Sequence, residues 1–544
     1  MRIIENSKLR RLLTKGPNYR EPRSLNFSKA FNDIKSALDS CVDSITSKTQ
    51  YSTTSLKDWK MKVLEKVQEK IDILKNSMKF NTAKPTLSDP VVLEYLNQLH
   101  RRFVIVTIDK AANNFAFICK KFYVARLLQE VGLNGEGNET YSNVDKEAID
   151  LVSENEKYLE KFGLKLDEKS KSLPIMYMSP KMHKSPIGFR FIVASKVCST
   201  KPLTEVVSRV FKMLFNHVES FHLKSKYYSP FNKFWVVQNS FPVINHLNKI
   251  NAKRKAKSIS TFDFSTLYTS IPHNLLIDVL CNIIDFVFQG RAKAKIGFSQ
   301  TSVYWTNKGT QKRFFNKESL KDAVSFLIGK CYFTIGNLVF KQDIGIPMGI
   351  DPAPFWANLF LYFYENKFIQ QLVTNKSPRA FMYHSTSRFI DDLCALNNGG
   401  DFERSYKDIY PPELELKVEH KGDHATFLDL DISVVDGKFV YKLFDKRDKF
   451  PFFIVRMPHL SSNIPSSIFY GSSFSEILRI ARCSSLVDDF ISRTSILLKR
   501  MINQGGNTKL LLKQINKACE RYPETFHKYG INCKELTHRF NLGK

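Results

Sequence analysis

The chain is 544 residues long and carries 82 basic against 53 acidic residues, a formal net charge of +29. Hydrophobic residues make up 43% and aromatic residues 13%, which supports sizeable cores and excludes wholesale disorder. So one-sided a charge points to a polyanionic partner. The basic residues run along the whole length without a basic amphipathic helix, which favours nucleic acid over an anionic membrane.

The nine cysteines are scattered singly with no CxxC pair, so they read as neither a zinc ribbon nor a disulfide framework and fit a reducing intracellular compartment. His217/His222 and His420/His424 are the close histidine pairs, and neither has cysteine partners or an HExxH context. Met1–Leu13 lacks the apolar core of a signal peptide. The most apolar later stretch, Ile344–Tyr364, contains Asp351 and three prolines, so no membrane span is expected.

Residues 1–95 read as a basic, mostly helical extension, with Ser28–Ser47 and Ser55–Asn76 at helical spacing and Asn81–Pro90 as a linker. Phe103–Thr107 and Phe115–Cys119 read as strands around a turn at Asp109–Asn114, and Asn138–Lys171 as a charged helix. Ile175–Ser195 reads as strand, basic loop, strand, with Lys181, His183, Lys184 and Arg190 in or beside a loop bent by Pro186 and Gly188. Ile259–Phe264 is a strand carrying Asp263, followed by a helix opening near Ser270-Ile271-Pro272.

Tyr332–Gln342 is a hairpin turning at Gly336-Asn337, which runs through Gly345–Gly349 into an apolar, buried helix from Pro354 to about Leu372. Ser387–Leu396 places Asp391 and Asp392 between apolar runs, as two buried strands joined by a tight turn. A helix near Phe402–Ile409 and an alternating strand at Leu414, Leu416 and Val418 follow. Phe427–Val434 and Lys438–Phe444 flank Asp436-Gly437, a strong hairpin signal. Phe474–Arg482, Leu486–Ile502 and Leu510–Glu520 complete a helical C-terminal part.

Carboxylates at a buried hairpin tip need a compensating positive charge, and a divalent cation is one candidate. Two carboxylates from neighbouring strands holding a pair of magnesium ions can align a hydroxyl with a triphosphate. Asp263 and Asp391 lie far apart in the chain, so their partnership would be a tertiary contact.

These motifs, in this order, resemble the palm of reverse transcriptases. Phe262–Tyr268 (FDFSTLY) is similar to the first palm motif, and Gly345–Asn358 (GIPMG with APxxAN) to the second. Phe389–Asp392 (FIDD) is similar to the third, Pro180–Ile192 (PKMHK…GFRFI) to the fingers motifs and Phe427–Ile432 (FLDLDI) to the primer-grip hairpin. Tyr268–His273 (YTSIPH), Met-Gly in the second motif and Asp109-Lys110 ahead of the fingers make the resemblance strongest to Penelope-like retroelement reverse transcriptases. The chain departs from that group at Ala111, where glycine is common, and nothing past Phe444 resembles a GIY-YIG endonuclease.

The resemblance implies an α+β right-hand polymerase fold with an antiparallel-sheet palm. It divides the chain into a helical N-terminal extension (1–95), fingers (96–255), a palm with primer grip (256–445) and a helical thumb (446–544). It implies RNA-directed DNA polymerase activity with Mg2+, or Mn2+ in its place, and a nuclear site of action for an active retroelement. Asp263, Asp391 and Asp392 become catalytic, with Asp263, Asp391 and the Phe264 carbonyl as metal ligands.

Tyr268 takes the steric-gate position that selects dNTPs, and Lys181, Arg190, Gln342, Met348 and Gly349 line the substrate. Gly345 and Gly349 would let the backbone approach nucleotide or template. Phe427 and Leu428 hold the primer end, Asp429 and Asp431 lie nearby on the same strand, and Lys417 or Lys421 protonates pyrophosphate. The implied partners are an RNA template, a DNA or RNA primer and dNTPs, with DNA ends supplied by a separate endonuclease or already present. The rival expectations are an RNA-dependent RNA polymerase and an inactive or domesticated polymerase fold that only binds nucleic acid.

Overall fold

A computed structural model of the chain describes residues 4–540 apart from 23–25, 47–52, 78–84, 134–138, 226–229, 291–293, 308–312 and 348. Four helices open it: Ser7–Leu13, Phe27–Thr46, Thr53–Ser77 and Pro90–Arg102. Part of the expected Asn81–Pro90 linker lies outside the described residues, and its end is corrected. Pro90 is the first residue of a helix whose N-cap, Asp89, accepts a hydrogen bond from the Val91 amide at 3.1 Å. Ile4, Leu9 and Val92 form a small core beneath this extension.

Phe103–Ile108 pairs antiparallel with Ala111–Cys119 and turns at Asp109-Lys110, with Lys110 at φ 61°. The turn is shorter than the expected Asp109–Asn114, because Ala111 already pairs with Ile108 and the irregularity falls beyond it. A five-stranded sheet follows, ordered Tyr141–Asn143, Leu338–Gln342, Tyr332–Ile335, Ile175–Lys181, Gly188–Ala194. The expected helix Asn138–Lys171 is corrected to the strand Tyr141–Asn143, the helix Ala148–Glu160 and a short 3-10 turn, with Asn138 outside the described residues. Tyr141 is drawn into the sheet by an edge-on contact with Phe333, ring centroids 5.6 Å apart.

The central sheet is antiparallel and four-stranded, ordered Thr386–Phe389, Asp392–Leu396, Ile259–Ser265, Glu415–Gly422. One face packs Phe262, Phe264, Leu393, Ala395 and Leu416 against the helices Lys201–Ser225, His273–Phe288, Lys317–Gly329 and Ala353–Thr374 in the largest core. Each large side chain so buried contributes roughly 1.5–3 kcal/mol. The helix Ala353–Thr374 is apolar nearly all round and buried, as its composition predicts. The alternation at Leu414, Leu416 and Val418 ends in a bulge between Val418 and His420.

His424–Phe427, Leu430–Val435 and Lys438–Leu443 form a three-stranded sheet. The expected strand Phe427–Val434 is therefore split by a turn at Leu428-Asp429, with Leu428 at φ 55°. The turn at Asp436-Gly437 has positive φ at both residues, as a tight hairpin of this type requires. A second core joins this sheet to the helices Ser466–Arg482, Val487–Asn503 and Thr508–Arg521. Between sheet and helices, Phe450 and Ile454 pack against Ile108 and Ala111, and Asn114 donates to the Phe453 carbonyl at 3.0 Å. The first hairpin is thus bridged to the C-terminal part. Among the described residues no helix is long and apolar enough to cross a membrane.

Candidate active site

The Ser387–Leu396 stretch folds as the expected hairpin, with a turn at Ile390-Asp391 and Asp392 as the first residue of the second strand. Asp392 pairs in register with Asp263 on the neighbouring strand, and the Phe264 amide donates to the Asp391 carbonyl at 3.2 Å. Cross-strand partners share a face, so Asp263 and Asp392 lie side by side at one end of the sheet, with Asp391 at the adjoining turn. Burial first, then the charges of Asp391 and Glu419, raise the pKa of Asp263. Burial first, then Asp391, raises Asp392 to about 6. Glu419 sits at the bulge of the Glu415–Gly422 strand.

Carboxylates that raise one another's pKa favour a cation among them, and all-oxygen donors suit a hard divalent ion. Among the described residues no group of three or more His, Cys, Asp or Glu side chains is arranged to hold a metal ion. A site of few carboxylates leaves coordination positions for water, main-chain oxygen and phosphate, the mode in which Mg2+ is commonly held.

A second group of charges faces the acids. Lys184, from the basic loop, and Lys446, from the turn Lys446–Lys449, both oppose the pKa rise of Asp263, and Lys446 opposes that of Asp392. Burial, Arg190 and Lys184 together lower the pKa of Lys181. Arg190 pairs at 3.0 Å with Asp109, a half-buried residue whose side chain is largely shielded, which gives the Asp109-Lys110 segment a definite task. The basic loop is seated by His183 against Phe450, ring centroids 5.4 Å apart. Lys446 and Glu419 escaped the sequence reading, and no local signal marks either.

Gly345 lies at φ 93°, where a Cβ would come within 2.2 Å of the Tyr268 carbonyl oxygen. The Ile346 amide donates to that carbonyl at 2.6 Å, the Gly345 amide donates to Ile271 O at 2.8 Å, and His273 Nε2 lies 2.8 Å from Gly345 O. The Gly345 turn is thereby stitched to Tyr268–His273. Gly349, at φ 125°, presses on the Val193 carbonyl in the same way, and the Ser195 hydroxyl donates to its oxygen. Both glycines allow a close approach to protein backbone that a Cβ would block. Tyr268 is half-buried, and burial with Asp391 nearby pushes its hydroxyl up to about 12.

Gln342 is buried, its amide donating to Ile344 O at 2.9 Å beside the Gly345 turn. Met348 lies outside the described residues. Lys417 pairs opposite Asp263 and shares its face. Lys421 pairs opposite Ser260 on the other face, where it meets Glu403 at 3.7 Å. Phe427 is buried in the second core, and Leu428 stands at the hairpin turn. Asp429, placed on the same strand as Asp431 by the sequence, is instead in that turn and pairs with Arg479 at 3.0 Å, while Asp431 lies 2.6 Å from His424.

Arg388, which the sequence reading passed over, is fully buried beneath the acidic turn. Its guanidinium meets Glu365 at 2.5 and 3.2 Å, Asn358 Oδ1 at 2.9 Å, Asn358 O at 3.0 Å and Ile390 O at 3.0 Å. Tyr410 also donates to Glu365, at 2.9 Å. An arginine inside a buried strand and an acid inside an apolar helix were the available signals, since neither is buried without a partner.

No family model matches the chain, and no curated protein matches it. Solved structures do. A telomerase from Candida albicans in complex with a TWJ fragment of telomeric RNA is 9% identical, covering 83% of this chain and 72% of that one with a TM-score of 0.54. A telomerase from Candida tropicalis with the same kind of RNA fragment is 11% identical over 92% of this chain and 79% of that one, TM-score 0.46. An RdRp complex is 12% identical over 65% and 34%, TM-score 0.37. The first likeness is one of fold: this chain has a mixed helix-and-sheet fold similar to that of the Candida albicans telomerase.

Proposed function

We propose that the protein is an RNA-directed DNA polymerase of a retroelement, of the Penelope-like kind, which adds dNTPs to a primer 3′-hydroxyl. The observation that carries this reading is the register that pairs Asp392 with Asp263 and sets Asp391 at the adjoining turn, opposite Lys184 and Lys446. Residues 256–445 then form the palm, 96–255 the fingers, 446–544 the thumb and 1–95 an extension. The net charge of +29 suits an RNA template and a DNA or RNA primer.

In this reading Asp263 and Asp391, with the Phe264 carbonyl, hold magnesium, or manganese in its place. The bound ions would acidify the 3′-hydroxyl and neutralise charge on the departing phosphates. The 3′-hydroxyl gives its proton to solvent as its oxygen forms a bond to the α-phosphorus, the bond from that phosphorus to the bridging oxygen breaks, and pyrophosphate leaves. Arg190, oriented by Asp109, and Lys181 with Lys184 and Lys446 attract the triphosphate. Lys417 is our choice for protonating pyrophosphate, because it shares the face of Asp263 whereas Lys421 does not. A ring at Tyr268 crowds a 2′-hydroxyl, which favours deoxynucleotides and disfavours an RNA-synthesising reading.

The test is extension of a primer on an RNA template with Mg2+ or Mn2+, offering dNTPs and rNTPs separately. Incorporation of dNTPs is expected. Preference for rNTPs would instead support an RNA-dependent RNA polymerase, and primer–template binding without extension a nucleic-acid-binding scaffold.

A further inference from the structure

We propose that Arg388 is a positioning residue of the acidic site, fixing where Asp391 stands by holding the carbonyl of Ile390. Ile390 is a β-branched residue at φ 55°, a costly conformation that persists only where its surroundings enforce it. Two hydrogen bonds enforce it. Arg388 Nη1 donates to Ile390 O at 3.0 Å, and the Phe264 amide, one residue beyond Asp263, donates to Asp391 O at 3.2 Å.

Arg388 is itself immobilised. All five of its N–H donors are spent on Glu365, Asn358 and Ile390. Its own amide donates to Trp235 O at 2.7 Å, and its carbonyl accepts from the Val237 amide at 2.8 Å. Glu365 and Asn358 belong to the buried helix Ala353–Thr374, so the turn carrying Asp391 is referenced to the main core rather than to its own hairpin. A lysine has three donors and no planar fork, so it cannot serve Glu365, Asn358 and Ile390 together.

This inference rests on the polymerase reading only for its purpose; its test does not depend on catalysis. Mn2+ binding to the full-length protein is measured by electron paramagnetic resonance for wild type, Arg388→Lys, Asp391→Asn and Leu498→Ala. Leu498→Ala is a core truncation in the C-terminal helices and serves as a control for general destabilisation. Arg388→Lys is expected to weaken Mn2+ binding about 10- to 100-fold, towards the Asp391→Asn level, as loss of a residue supporting a ligand does elsewhere. Leu498→Ala lowers the unfolding midpoint without changing Mn2+ affinity.

Wild-type affinity in Arg388→Lys overturns the inference, and so does an equal loss in Leu498→Ala. If Arg388→Lys does not fold, Asn358→Ala loosens the same guanidinium. It is expected to weaken Mn2+ binding by a smaller factor, and unchanged affinity there overturns the inference. A wild type that binds Mn2+ but extends no primer contradicts the polymerase reading while the Mn2+ ratios still decide the role of Arg388. A wild type that binds no Mn2+ overturns both.

Discussion

A Cβ on Gly345 would lie 2.2 Å from the carbonyl oxygen of Tyr268, and the residue holds φ 93°. The turn following the Tyr332–Gln342 hairpin and the segment following Asp263 are therefore locked backbone to backbone. Gly345→Ala is expected to cost about 3 kcal/mol or more, combining left-handed strain with a clash that has no side chain to yield. Gly336, at φ 60° with nothing within 4 Å of its would-be Cβ, is the internal comparison. Gly336→Ala is expected to cost about 1 kcal/mol. Thermal denaturation of the two variants checks the ranking.

The half-buried ring of Tyr268, whose hydroxyl feels the charge of Asp391, bears on sugar selection. Tyr268→Phe keeps the ring and is expected to keep the preference for dNTPs. Tyr268→Ala is expected to lose at least about tenfold of the discrimination against rNTPs, a change of ~1.4 kcal/mol in relative transition-state energy. Steady-state incorporation of matched dNTP and rNTP pairs measures it. Unchanged discrimination in the alanine variant would remove the steric-gate role.

Asp392, raised to about 6 by burial and then by Asp391, ties stability to pH. A carboxyl whose folded pKa lies above its unfolded value binds its proton more tightly when folded. It therefore costs nothing below the unfolded value and costs progressively more as pH rises through the folded one. Without divalent ions, Asp392→Asn is expected to stabilise the protein at about pH 7.5 by on the order of 1–3 kcal/mol, a gain that fades towards about pH 4. Added Mg2+ is expected to raise the wild-type unfolding midpoint at about pH 7.5 and to lose that effect near pH 5. Differential scanning calorimetry across this range provides the readout.

The two lysines of the Glu415–Gly422 strand separate by face. Lys417→Ala is expected to slow single-nucleotide addition by roughly 100-fold, within the range for a lost general acid. Lys421→Ala breaks an exposed contact with Glu403, and is expected to leave that rate within about twofold and to cost less than ~1 kcal/mol. Rapid-quench measurements on both variants decide between them.

What could be read without coordinates was what local chemistry dictates. The hairpins at Gly336-Asn337 and Asp436-Gly437, the buried helix Ala353–Thr374 and the Asp391-Asp392 hairpin all follow from periodicity and turn residues nearby. The turn at Leu428-Asp429 was hidden because leucine at positive φ has no composition signal; tertiary packing imposes it. Pro90 reads equally well as the end of a linker or the start of a helix, and the Asp89 cap settles which. The motifs placed Asp263 with Asp391, but the charges that complete the site could not be read locally. Lys446, Glu419 and Arg388 reach it only through register, bulge and burial. The hydrogen bond from the Gln342 amide to Ile344 O was equally hidden, since nothing in the hairpin sequence marks that side chain as turned onto its own backbone.

In the proposed function Asp263 and Asp391 support templated transfer of a deoxynucleotide. That role is tested most directly by the rate of single dNTP addition to a DNA primer on an RNA template, for wild type and Asp391→Asn at saturating Mg2+. Mg2+-dependent addition by wild type is expected, with a loss of about 10³-fold or more in the variant, whose primer–template affinity stays the same. Addition by Asp391→Asn at the wild-type rate would contradict that role.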